Sequence, residues 1–295
     1  MRIGEQKRQR TAALQNLADY LRPPNLANRP GVRQSSAALP LIGLLLLNVM
    51  SAEVFAAPHP GKRETYLETF DHGPGGWYAD RRYALHVWDG VAYTYSPWWV
   101  DANHAAPGAG YLHLLLWMHT DKRTYEGNQE ALKILPYIGN RFIDESYSRD
   151  LRNAKITVRI RGEVDLKGAQ VLLLAQAKTA KTTANLVLSG RPLKITKDWS
   201  EQSLLLKPDP KQWTCLGARH DMQAEYGCDD VATVLQDVNV DLIFVLFPLK
   251  VVPAWTNVSG ADVDRLRAVK DYPVLQDELP KGVIMFDSIK IEYPD

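Results

Sequence analysis

Three histidines, a tyrosine and a tryptophan crowd the stretch DANHAAPGAGYLHLLLWMHT, residues 101–120. Imidazole, phenol and indole groups so close together offer three kinds of chemistry: metal ligation, proton transfer and stacking against sugars. Metal ligation fails on length, because His113 and His119 stand six residues apart, about 20 Å along an extended strand. His104, in the loop before them, adds no recognisable ligand spacing. Alternation in a strand places Leu112, Leu114, Leu116 and Met118 on one face and Tyr111, His113, Leu115, Trp117 and His119 on the other. The first set reads as core. The second offers flat apolar rings to pyranoses and hydrogen-bonding groups to their hydroxyls.

Neighbouring segments add to that face. In AKITVRIR, Ile156, Val158 and Ile160 point inward, leaving Lys155, Thr157, Arg159 and Arg161 opposite. In AQVLLLAQAK, Gln176 shares a side with Leu172 and Leu174. The turn-rich segment YTYSPWWVDANH supplies Tyr93, Tyr95, Trp98 and Trp99, and adjacent tryptophans in extended chain point different ways. Arginines beside aromatic rings suit an anionic sugar such as a uronate. A solvated sheet face accounts for Arg159 and Arg161 equally well.

These residues must be positioned by strands. Nine runs alternate or are continuously apolar between Gly, Pro, Asn and Asp: 64–70, 83–88, 110–120, 154–161, 169–178, 182–189, 201–206, 239–249 and 282–293. Two short helices are expected, one with an aspartate cap in DDVATVLQDV from Asp229 and one from Ala261. The expected fold is an all-β, antiparallel β-sandwich of jelly-roll type with helices only in loops.

The chain opens differently. Basic residues such as Lys7, Arg8, Arg10 and Arg33 precede the apolar run ALPLIGLLLL and the small residues SAEVFAAP. Residues 1–56 therefore read as a secretory signal and 57–295 as one domain, secreted or periplasmic. The alternative is a membrane tether through an uncleaved segment, although the apolar run is shorter than the roughly 20 residues of a span. Residues 1–56 hold seven Lys/Arg and three Asp/Glu, so 28 basic face 31 acidic residues in the remainder. That balance gives no footprint for nucleic acid. In an oxidising compartment Cys215 and Cys228 are expected to form a disulfide around CLGARHDMQAEYGC.

Three anchors carry a family resemblance. ETFDHGPGGW resembles the opening of jelly-roll carbohydrate-binding modules of the galactose-binding-like type, LKITKDWSEQSLLL resembles their tryptophan entering a strand, and IMFDSIKIEY resembles their closing strand. The resemblance implies a structural calcium near the chain ends, carried here to Glu68, Asp71 and Asp287; turn-forming and capping roles for the aspartates are the alternative. The long GARHDMQAEYG loop and the 250–282 insertion depart from the family.

The function expected from these features is binding of a polysaccharide or other glycan through Trp98, Trp99, Tyr111, His113, Trp117, His119, Arg159 and Gln176. A polysaccharide-degrading enzyme is the first alternative: a lyase with His113, Tyr111 and Arg159 in catalytic roles, or a glycosidase. A structural or adhesive envelope protein is the second. No nucleophile elbow, P-loop or zinc-protease motif supports other chemistry.

Overall fold

A computed structural model describes residues 61–79, 85–101, 112–122, 139–218, 223–249 and 278–294. The expected signal segment, the helix from Ala261 and most of the 250–282 insertion lie outside these residues, as do Tyr111 and His104. No described helix is long and apolar enough to cross a membrane.

The chain folds as an antiparallel β-sandwich. The first sheet runs β10 (Ser200–Leu205), β7 (Lys155–Asp165), β14 (Lys281–Glu292), β4 (Val91–Tyr95) and β3 (His86–Trp88), with β1 (Tyr66–Glu68) also on β14. The second runs β11 (Thr214–Cys215), β9 (Thr183–Val187), β8 (Gln170–Lys178), β13 (Asp241–Phe247), β6 (Leu112–His119) and β2 (Trp77–Tyr78). Here β5 (Trp99–Asp101) joins β6, and β12 (Tyr226–Gly227) joins β9 as a parallel partner. All nine expected strands form. The sequence reading missed the short β2, β5, β11 and β12, and β4, whose VAYTY alternation runs directly into Ser96 and Pro97.

Period-two alternation decides which side chains meet between the sheets. Ile156, Val158 and Ile160 of β7 and Ile284 and Phe286 of β14 face Leu173, Ala175, Leu242, Phe244 and Leu246 of the second sheet. Phe244 and Phe286 meet across the gap with ring centroids 5.2 Å apart. Trp77, fully buried, donates its indole N–H to the Tyr66 hydroxyl at 3.0 Å, so neither polar atom costs the core an unmade bond.

Among the described residues two short α-helices decorate the sandwich. In α1 (Arg141–Asp144) the Asn140 side chain caps the N-terminus by accepting from the Ile143 N–H. In α2 (Val231–Gln236) Asp230 does the same for Thr233 N–H, the expected aspartate cap. Val231, Val234 and Leu235 bury the inner side of α2. Cys215 and Cys228 are joined in the expected disulfide.

Candidate functional site

One extra residue re-sorts the strand that carries the histidines. Phe244 pairs with Leu116 but Val245 pairs with Leu114, so Leu115 is a bulge in β6. Leu115, Leu116 and Met118 therefore all join the inter-sheet core, while Leu114 and Trp117 join a separate apolar cluster on the outer side of the second sheet. This corrects the single-face reading of Tyr111 to His119. His113 pairs with inward-facing Leu246 and sits between the sheets at 1% exposure, its ring 6.3 Å from that of buried Trp98. Among the described residues neither His113 nitrogen nor the Trp98 N–H has a partner. Burial in apolar surroundings lowers the His113 pKa to about 4, so the ring is neutral near pH 7.

Trp117, His119 and Gln176 do come together on the outer side. A polar row crosses four strands in register: His119 pairs with Asp241, Asp241 with Gln176 and Gln176 with Asn185. His119 Nδ1 and Asp241 Oδ1 lie 2.5 Å apart, the arrangement that orients an imidazole. Tyr78 and Trp117 flank this pair, with ring centroids 6.0 and 6.5 Å from His119. Most of it is shielded from water: Trp117 and His119 are each 6% exposed, and Leu174, Ile243 and Val245 pack with Trp117, whereas the Asp241 side chain keeps 15% of its surface. Sequence reasoning missed Asp241 and Asn185, which neighbour the others only through strand register.

The outer side of the first sheet is aromatic and exposed toward β3, with Met285 buried at its middle. Across β7, β14, β4 and β3 the register aligns Arg161, Met285, Tyr93 and His86 in one row. Trp199, entering β10, extends it: the Arg161 guanidinium lies 4.7 Å and that of Arg159 5.2 Å from its ring centroid. His86 meets Tyr93 edge-on at 5.7 Å. On either side of the row stand Trp88, 60% exposed, and Tyr95, 36% exposed. From β10 to β3 four inter-strand spacings make the row about 19 Å long. Burial pushes the Tyr93 phenol above its ordinary pKa, opposed by the neighbouring Arg161 charge. Arg159, Arg161, Tyr93 and Tyr95 were legible in the sequence as candidates; Trp88, His86 and Trp199, and the row that joins them, were not. Trp99 lies in β5, and the placement of its side chain is outside the described set.

The three carboxylates expected to hold calcium have separate partners. Glu68 accepts from the Phe70 N–H at 2.9 Å and feels the Arg141 charge; its other oxygen is buried without a partner. Arg141 also donates to the Leu67 carbonyl. Asp71 accepts from the Thr69 hydroxyl, and Asp287 pairs with Arg159 at 2.9 Å. Among the described residues no group of three or more His, Cys, Asp or Glu side chains converges as a metal site. An open cleft of about 510 Å³ beside Asp71 is lined by Phe70, Pro74, Leu85, Trp88 and Asp89.

No family model and no curated protein sequence matches the chain. In structure, the L4b domain of human laminin alpha-2 is similar at a TM-score of 0.28 and 11% identity, over 69% of this chain and 98% of that one.

Proposed function

We propose that the chain is an exported carbohydrate-binding β-sandwich of the jelly-roll, galactose-binding-like kind, and that its polysaccharide lies across the outer side of the first sheet. The observation that supports this reading is the in-register row Arg161, Met285, Tyr93 and His86, closed by Trp199 and bordered by exposed Trp88 and Tyr95. A sheet face is stiff, so its rings lose little freedom on meeting a ligand. Aromatic rings, an imidazole and a phenol in one line match the alternating apolar faces and hydroxyl rims of linked pyranoses. The disulfide is compatible with export.

The test is native affinity electrophoresis of the intact protein in gels cast with dextran or polygalacturonate, followed by staining of the remaining polymer. Retardation in either gel that Tyr93→Ala abolishes supports the assignment; unretarded migration in both overturns it.

A polysaccharide-degrading enzyme is the second reading, favoured by one observation. His119, oriented by Asp241 and neighboured by Gln176 and Asn185, combines a potential base with amides able to receive a uronate carboxylate. Cleared polymer around the band, lost in His119→Ala, is the outcome that selects it.

A further inference from the structure

Among the cations on the outer side of β7 and β14, Lys155, Lys290 and Arg159 stand within ion-pair distance of a carboxylate. Lys155 and Lys290 each reach Glu292 at 3.2 Å, and Arg159 reaches Asp287 at 2.9 Å. Arg161 has no carboxylate partner among the described residues. It lies over the Trp199 ring instead, and its Nε–H is buried without an acceptor. A buried, unsatisfied guanidinium N–H is costly unless an acceptor arrives with something else. The fold has thus partly stripped this cation of water and set it over an indole, and no described carboxylate is ion-paired with it.

From this arrangement we infer that the ligand is anionic, a hexuronate polymer, and that Arg161 receives its carboxylate near the β10 end of the row while Tyr93 and His86 meet the sugar residues that follow. The inference rests on the carbohydrate-binding reading above and narrows it. A planar guanidinium offers paired donors that match a planar carboxylate, which favours uronate over sulfate. Trp199 acts on the ligand through Arg161, by holding the guanidinium in one orientation. Glu163, two residues along β7 on the same side, stands against non-selective capture of polyanions.

Affinity electrophoresis of the intact protein in gels containing polygalacturonate, dextran sulfate or dextran tests the inference, with wild type, Arg161→Gln, Arg161→Lys and Trp199→Ala compared at two salt concentrations. Polygalacturonate is expected to bind at least tenfold more tightly than dextran. Arg161→Gln should lose about tenfold, and Arg161→Lys, which keeps the charge but not the fork, should lose part of that. Thermal melts and far-ultraviolet circular dichroism confirm that each variant is folded, and Arg161→Lys carries the test if the glutamine variant is not. Equal retardation by dextran and polygalacturonate, unchanged in Arg161→Gln, overturns the anionic inference and leaves the carbohydrate reading standing. Dextran sulfate binding as tightly as polygalacturonate, with the same dependence on Arg161, overturns the choice of carboxylate. Migration unaffected by every polymer overturns both readings together.

Discussion

His113 lies edge-on to Trp98 in the interior of the sandwich, ring centroids 6.3 Å apart, and no polar atom of either ring finds a partner among the described residues. A neutral imidazole there is tolerated; an imidazolium is not. With the folded pKa at about 4 and the unfolded value near 6.5, the unfolded chain binds the extra proton between those limits. The stability is complete above pH 6.5 and is lost as pH falls toward 4, by about 3 kcal/mol over that window. Urea unfolding at pH 7 and pH 4.5 should show the loss, and His113→Leu should flatten it. An identical pH slope in wild type and variant would count against the buried neutral ring.

Gly75 is tied to Glu68 in a different way. Its φ is +58°, and a Cβ there would fall 1.8 Å from a Glu68 carboxylate oxygen. Gly75→Ala must both strain the backbone and displace a buried acid, so it should destabilise by more than about 2 kcal/mol. Equilibrium urea denaturation reads this directly, and an unchanged midpoint would show that the loop relaxes freely.

Trp88 separates binding from folding. At 60% exposure its removal should change stability by less than about 0.5 kcal/mol. If the proposed ligand reaches the end of the row, Trp88→Ala should weaken polymer retardation several-fold while the melting temperature stays put. A parallel fall in both would make the ring structural.

Calcium removal offers a fourth check. Leu67 carbonyl and Glu68 already face Arg141, and Asp287 already holds Arg159. Cations of the protein's own thus stand by these groups, and EDTA should shift the melting temperature by less than about 2 °C, a change under roughly 1 kcal/mol for a domain of this size. A clear fall reversed by added calcium would establish the ion that the family resemblance implies.

How much of this was legible beforehand depended on whether alternation survived. In β7 nothing interrupts the period, and Ile156, Val158 and Ile160 point inward while Arg159 and Arg161 point outward, as read from the sequence. In β6 the bulge at Leu115 breaks the count, and His113 and His119, six apart and hence expected on one face, end on opposite sides. No local pattern in LHLLLWMH announces that extra residue; it becomes visible only against β13. The Arg161, Met285, Tyr93 and His86 row was hidden for the complementary reason, since its members come from three distant parts of the chain and only register makes them neighbours. The disulfide was legible because two cysteines leave one pairing, and the expectation of export favoured it.

The rims of the two sheets differ in what they permit. The second sheet finishes at both ends in pieces of two or three residues, and the Cys215–Cys228 bond ties the pieces flanking β9 together. Such stubs are poor templates for a foreign strand. The first sheet instead ends in β10, six residues long, with Leu205 39% exposed at its end. Among the described rims, aggregation by strand addition therefore has one favourable starting point. It lies beside Trp199, so polymer lying along the row would shield the same rim that misassembly needs.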